Sequence, residues 1–475
     1  PATGPAAPRV TAAARVRGAG RGADERGTGV GTARAGGDRP GSLRTAPDTT
    51  AMVRGGSVAE VFDVFADMDF WAHGSAARAE AFRTARDEAP VVFAPEPPID
   101  GFPQGPGLWS VTGYADVMHV SRHPELFCSG RGTNIPDLPL EFVEFMGSMI
   151  NMDDPRHTRI RRIVNRSFTP RMVARVDHDV RVKARNIIGR VAERGSCDIV
   201  TDLAGPFPLE IICEMMGIPQ ESWSRVFECS NVILGDQTTV PDIETLLGAV
   251  LELAALAQSV AEDRLGDPQD DLVSAMVHAQ VDGEQLTPQE VSSFFILLAV
   301  AGNETTRNAI THALRLLTEH EDQRADWQAN FAEVTPTAVE EVVRWASPVV
   351  HFRRTATADT RIGDVDIAEG DKVVIWYESA NKDERVFDDP WRFDVRRTPN
   401  EHVGFGAGGP HFCLGANLAR REIGVMFEEL FRWLPDIRTT GTPDYLQSGF
   451  IHGIKHLGCE FTPTRVDAAV TATDA

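Results

Sequence analysis

One cysteine is set in a way that few folds can accommodate. Cys413 closes a Gly-rich loop, Phe405-Gly-Ala-Gly-Gly-Pro-His-Phe-Cys413-Leu-Gly415, and an amphipathic helical period runs from Ala416 to Trp433 directly behind it. Glycines let a backbone approach a flat ligand closely. The unpaired N–H groups and positive dipole end of a helix start favour a thiolate over a thiol. Hydrogen bonds to that sulfur would tune a bound metal. The plain alternative is a buried structural cysteine that follows a loop, the commoner fate of a single Cys. Three glycines, a His two residues before and a Gly two after weigh against it.

The other cysteines (128, 197, 213, 229 and 459) are scattered with no CxxC pair. A chain this long needs no covalent staples, so a reducing cytoplasm is expected. The 475 residues suggest about three domains on length alone. No Pro/Gly/Ser linker follows residue 60, however, and one large domain at 56–466 is the better reading. A core of that size can also enclose a cavity. Residues 1–55 are Ala/Gly/Arg-rich, with no Ile, Phe, Trp, Tyr or Met before Met52. They are expected to be a disordered extension, because they cannot bury enough apolar surface to offset ordering; 467–475 is expected to be a flexible tail. A net charge of −22 argues against a nucleic-acid partner, which needs a basic face. The longest strongly apolar run, Phe294 to Gly302, falls short of the roughly 20 residues that span a bilayer, and no membrane anchor is expected.

Short β-prone pieces lie at Val91–Ala94 and Leu108–Thr112, helical patterns fill 114–346, and short strands broken by Gly363 and Gly370 fill 353–378. Asp154-Pro155 and Thr335-Pro336 each read as an N-cap followed by Pro at the first helical position. The second precedes a helix over Ala338–Trp345, closed by Pro348. The fold class is mainly α with small β-sheets.

Four further groupings carry chemistry. In Leu297-Leu-Ala-Val-Ala301-Gly302-Asn-Glu304-Thr305-Thr306 an apolar helix turns small and then polar. A helical Gly costs ~1 kcal/mol relative to Ala, and Thr can bond back to the carbonyl at i−4 and bend the helix. A helix passing over a flat ligand gains from this; a plain core helix does not. Glu341 and Arg344 stand three apart and can pair, although such pairs are usually surface bridges worth ~0–1 kcal/mol. His157 and Arg161 share a helix face at i, i+4. Arg354 and His411 add two more cationic donors.

These stretches together resemble the cytochrome P-450 family. Its signature is a Phe, a Gly-rich stretch, His or Arg two before Cys, and Gly two after. One departure is that Phe405 lies eight residues before Cys413, where seven is commoner. The resemblance implies that Cys413 is the axial thiolate of haem b (iron protoporphyrin IX), with Phe405 and Gly415 packed beside it. Ala301 and Gly302 leave room for O2. Thr305 and Glu304 serve oxygen activation and proton delivery, Glu standing where Asp is commoner. Glu341, Arg344 and Arg397 form a structural network. His157, Arg161, Arg354 and His411 hold the haem propionates. The implied fold places haem between the oxygen-binding helix and the Cys-loop helix.

Gly147–His157, Phe294–Asn308, Ser379–Asp383 and Phe450–Lys455 carry the resemblance further, to actinobacterial methyl-branched-lipid omega-hydroxylases, with sterol 26-monooxygenases close by. This implies hydroxylation of a terminal methyl by O2 and two electrons. The electrons would come from a separate ferredoxin and its NAD(P)H-dependent reductase, the chain acting as a monomer. Arg161, Arg162, Arg166, Arg420 and Arg421 are candidates for a basic docking patch. Val349, Val350, Phe450, Phe294 and the regions Thr133–Phe142 and Cys229–Thr239 are candidate pocket linings. A peroxide-driven peroxygenase and a non-catalytic haem-dependent lipid binder or sensor are the other readings.

Overall fold

A computed structural model describes residues 65, 67–72, 74–96, 105–137, 140–167, 170–235, 243–280 and 283–466. The expected extension at 1–55 and tail at 467–475 lie outside the described residues. The chain opens with α1 (Ser75–Glu88), β1 (Val91–Ala94), β2 (Leu108–Val111), α2 (Tyr114–Arg122) and β3 (Phe127–Cys128). Next come α3 (Leu140–Gly147), α4 (Arg156–Ser167), α5 (Pro170–Val191), β4 (Ser196–Asp198), α6 (Pro206–Met215), α7 (Trp223–Leu234), α8 (Ile243–Gly266) and α9 (Leu272–His278). The long α10 (Pro288–Glu319) leads to α11 (Glu321–Ala329) and α12 (Phe331–Ala346). Strands β5 (His351–Ala356), β6 (Thr360–Ile362), β7 (Val365–Ile367) and β8 (Lys372–Trp376) precede the single turn α13 (Tyr377–Ala380). Helix α14 (Ala416–Trp433), β9 (Arg438–Tyr445) and β10 (Ile454–Glu460) complete it.

The sheets are small. One runs β1-β2-β8-β5-β3, with β2 parallel to β8; a second runs β4-β10-β9; β6 and β7 form a hairpin. The fold is thus the mainly helical one expected.

Helix α10 organises the site. Its start is fixed by a capping box: Glu290 N donates to Thr287 Oγ1 at 3.1 Å, and Thr287 N to Glu290 Oε2 at 2.9 Å, which satisfies two otherwise orphaned donors. At 32 residues it is about 48 Å long, long enough to belong to two cores. Phe294, Phe295, Ile296, Ala299 and Val300 pack into one with α7, α8 and α9. Ala309, Ile310, Ala313, Leu314 and Leu317 pack into another with α5, α12 and α14. Residues 301–308 supply no core hydrophobic to either. The polar stretch read from sequence is therefore the span between two apolar anchors.

Two local expectations change. Helix α12 begins at Phe331, so Thr335 is not its cap and Pro336 lies inside it. Trp327 Nε1 donates to Thr335 Oγ1 at 2.9 Å, and Val334 is buried. That packing outweighs the single backbone bond Pro336 cannot make. Helix α8 is long and apolar enough to cross a membrane by length and composition, a segment the sequence scan passed over. On one face its Ala249, Val250, Leu253, Ala257 and Val260 are buried in the core shared with the first half of α10, while Leu251 and Leu265 are exposed. Asp154-Pro155 is borne out in part: Asp154 Oδ1 accepts from Thr158 N at 3.2 Å, but α4 begins at Arg156, one residue after Pro155.

Candidate haem site

The Cys413 loop closes first on itself. Cys413 N donates to Phe405 O and Gly406 N to Val403 O, both at 2.9 Å. This return uses left-handed backbone at Gly406, Gly408 and Gly409, with φ of 100°, 83° and 79°, which a side chain resists. At Gly409 a Cβ would also fall 2.3 Å from the Ser121 carbonyl oxygen. Arg161 on α4 then grips the loop from outside, donating to Pro410 O at 2.7 Å and Phe412 O at 2.6 Å. The Phe405 ring sits 5.8 Å from the His402 ring and 4.4 Å from the Arg420 guanidinium.

Cys413 keeps exposed surface, yet protein surrounds it closely enough that burial pushes its thiol pKa up. Open surface within dense surroundings belongs to the wall of a concavity. The N–H groups of Gly415 and Ala416 bond toward the sulfur, and Arg161 and Arg420 act on it as positive charges. All four favour the thiolate, as the start of α14 should.

Helix α10 presents one half-open stripe, Leu298, Ala301, Gly302 and Thr305, at i, i+3, i+4 and i+7. Thr305 Oγ1 donates to Ala301 O at 2.9 Å, the back-bond expected of Thr in a bent helix. A Cβ on Gly302 would meet only Ile212, at 3.6 Å. The packing of the protein thus leaves Gly302 free to be small for another reason. Glu304 is buried. Its Oε1 accepts from the Arg307 guanidinium and from Asn308 Nδ2 at 2.9 Å, while Oε2 has no partner.

Sequence reasoning missed a second buried acid here. Glu422, on α14, is bonded to the Thr306 side chain, and burial pushes its carboxyl up to about 8. An acid on the apolar stripe beside Ile423, Val425 and Met426 was the signal available.

His157, Arg161, Arg354 and His411, named separately from sequence, come together. The rings of His157 and His411 stand 4.4 Å apart. Burial, then Arg354, His157 and Arg161, push His411 down to about 2. Burial and Arg161 lower His157 against the opposing pull of Asp154 and Asp153. Neither ring nitrogen of His157 has a partner, and Asp154 Oδ1 is 4.0 Å from Nδ1. Arg354 is buried, donates to Arg353 O at 2.8 Å and shares a hydrogen bond with Tyr377. Crowded donors with unused N–H capacity suit a group carrying two carboxylates. With a thiolate-forming Cys in a concave wall, the residues fit a haem.

The Glu341–Arg344 pair proves to be no surface bridge. Both side chains have 0% exposure. Arg344 donates to Glu341 at 2.7 and 2.8 Å, and to Asn381 O and Pro390 O. Arg397 adds a bond to Glu341 Oε2 at 3.1 Å. Asn381 Oδ1 accepts from Val403 N at 2.7 Å, which ties the network to the start of the Cys413 loop.

The cytochrome P-450 profile matches residues 252–436. A Mycobacterium tuberculosis methyl-branched lipid omega-hydroxylase is 51% identical, over 82% of this chain and 92% of its own length. A Rhodococcus jostii steroid C26-monooxygenase is 42% identical, over 80% of this chain and 81% of its own. A solved Mycobacterium marinum cytochrome P-450 in complex with pseudoionone superposes with a TM-score of 0.78 at 41% identity, covering 83% of this chain and 97% of that one. The chain belongs to the cytochrome P-450 family. It is a haem-thiolate monooxygenase with haem b as its cofactor.

The pocket candidates of this cytochrome P-450 divide. Val349 and Phe450 are half-buried; Val349 bridges to Ile451, and the Phe450 ring lies 5.5 Å from those of His351 and Phe352. Val350 and Phe294 need correction. Val350 is buried in the aromatic cluster with Trp71 and Trp376, and Phe294 in the core under α8. Neither offers surface to a bound molecule. Positions 138–139 and 236–239 of the two candidate regions lie outside the described residues. The proposed basic patch also thins: Arg420 is paired with Glu340 at 2.5 Å and Arg161 is committed to the loop. The Arg166 side chain lies outside the described residues.

Proposed function

We propose that this cytochrome P-450 hydroxylates the terminal methyl of a methyl-branched lipid, fatty acid or isoprenoid, using O2 and two electrons. The 51% identity to a methyl-branched lipid omega-hydroxylase, over 92% of that protein's length, supports this most. Cys413 would ligate the iron, its thiolate favoured by the N–H groups of Gly415 and Ala416. His157, Arg161, Arg354 and His411 would hold the propionates, with Phe405 and Gly415 beside the ring. Bound haem supplies the oxidising chemistry. The rest falls to the chain. The stripe of Ala301 and Gly302 admits a small molecule, Thr305 offers a hydroxyl beside it, and Glu304 passes protons toward it. A terminal C–H bond is stronger than the tertiary one at a branch, so the chain end must be held sterically; half-buried Val349 and Phe450 are the walls proposed for this.

Electrons would come from a separate ferredoxin with its NAD(P)H-dependent reductase, with Arg162 and Arg421 as the exposed arginines proposed for docking. The setting would be cytoplasmic and the chain a monomer without a membrane anchor. A second reading, oxidation of a sterol side chain, is favoured by the 42% identical steroid C26-monooxygenase.

Optical titration with phytanic-type acids and with cholestenone separates the two. A blue shift of the Soret band with the branched acids, and a product hydroxylated at their methyl end, are expected. Silence with the acids and a shift with cholestenone would transfer the assignment to the second reading.

A further inference from the structure

Four buried polar atoms on one turn of α10 have no partner: Oδ1 and Nδ2 of Asn303, Oε2 of Glu304 and Nε of Arg307. Asn303 itself is fully buried. Arg307 follows Asn303 by four residues and Glu304 by three, so its side chain stands over both. Protein groups already fill the other side of this cluster. Arg307 and Asn308 take Oε1 of Glu304, and Arg307 Nη1 donates to Asn231 Oδ1 on α7 at 3.0 Å. Ser230 Oγ, next to Asn231, lies 3.5 Å from Ala299 O and closes α7 against the preceding turn.

An amide offers two donors and an acceptor with two lone pairs, and buried polar groups of this kind find partners. The occupant must accept from Nδ2 and from Arg307 Nε, and donate to Asn303 Oδ1 and Glu304 Oε2. Water does both and fits a small polar site with several partners. We infer that Asn303 is a positioning residue: it holds a buried water on Glu304 Oε2, and Glu304 regains its proton from this water during turnover. The water gives a proton to Oε2 and takes one from the next water outward, along Arg307 toward the half-buried Asn231. Asn303 neither gains nor loses a proton. The inference rests on the reading of Glu304 and Thr305 as the proton-delivering pair.

Asn303→Leu keeps the shape and removes every hydrogen bond, whereas Asn303→Ser keeps a donor and an acceptor. In the substrate-bound holoenzyme the Leu variant should yield about ten-fold less product per NAD(P)H, short of the ~10²-fold or more that removing a general acid costs. Its solvent isotope effect in D2O should grow, and Asn303→Ser should restore most of both. Its melting temperature should stay near native, since Leu fills the same space and brings no buried polar atom that needs a partner. A crystal structure should show an ordered water within ~3.2 Å of both the Asn303 amide and Glu304 Oε2. Native coupling and isotope effect in Asn303→Leu, or a dry contact at Asn303 in the crystal, would overturn the inference. Glu304→Gln separates the two failures. If Glu304→Gln also couples as the native protein does, the proton-pair reading falls. If it uncouples while Asn303→Leu does not, only the water site falls.

Discussion

Arg161 donates to Phe412 O at 2.6 Å, clamping the residue immediately before Cys413. Its second arm holds Pro410 O, so one guanidinium sets the backbone on which the thiol hangs. Lysine cannot make a two-armed contact. Each charged hydrogen bond is worth ~1.5–3 kcal/mol when buried, less here because Arg161 is half exposed. Arg161→Lys should lower haem retention and shift part of the ferrous–CO spectrum away from the band that names the family. A Lys variant with native haem content and spectrum would show that the clamp is dispensable.

Glu341 faces both Arg344 and Arg397. Removing one partner of a buried pair costs ~3–5 kcal/mol, a large part of the ~5–15 kcal/mol that holds a domain folded. Glu341→Ala should yield little haem-bound protein, with a much lower urea midpoint for what remains. A midpoint near native would contradict the burial described.

The carboxyl of Glu422 is raised from 4.5 to about 8 by burial, against the hydrogen bond from Thr306. The folded state therefore holds a proton that the unfolded state releases between these values. Stability from this group is greatest below about 4.5 and declines as pH rises to about 8, because the native state binds the extra proton there. Glu422→Gln, neutral throughout, should flatten that decline and melt higher than native at pH 8. Parallel stability–pH curves for the two proteins would refute it.

Thr305 spends its hydroxyl hydrogen on Ala301 O, which leaves the oxygen's lone pairs facing the half-open stripe. Thr305→Ala should lower product by ~10²-fold or more, as loss of a proton-handling group does, while peroxide release rises. Thr305→Ser should behave nearly as native. Unaltered product and peroxide in the Ala variant would remove Thr305 from proton handling.

Arg162 is exposed on α4. Reversal of a rim charge acts mainly on association rate. Arg162→Glu should slow ferredoxin-driven turnover at low salt while leaving haem content and chemical reduction unchanged. Equal ferredoxin rates at low salt would move the docking face elsewhere.

Much of the site was legible because its chemistry is written locally. Gly406, Gly408 and Gly409 announce a tight return, and Cys413 ahead of an amphipathic period announces a helix start. Ala301–Thr306 announces a helix that is small and polar in its middle. Glu341–Arg344 was legible only as a pair, since nothing in three residues says whether a pair is buried.

By itself the sequence determined the mainly helical class, the Gly-rich return that carries Cys413 and the small, polar middle of α10, because residue type and short spacing control those features; His157, Arg161, Arg354 and His411 were named together only through the family resemblance. Tertiary structure alone decided the rest. It turned Arg161 onto the loop carbonyls, brought His157 within 4.4 Å of His411, buried Val350 and Phe294, carried α12 back through Pro336, and left Glu422 neutral and Asn303 unpartnered. Each outcome depends on which distant segment packs alongside, and burial and pairing are set by those long-range neighbours.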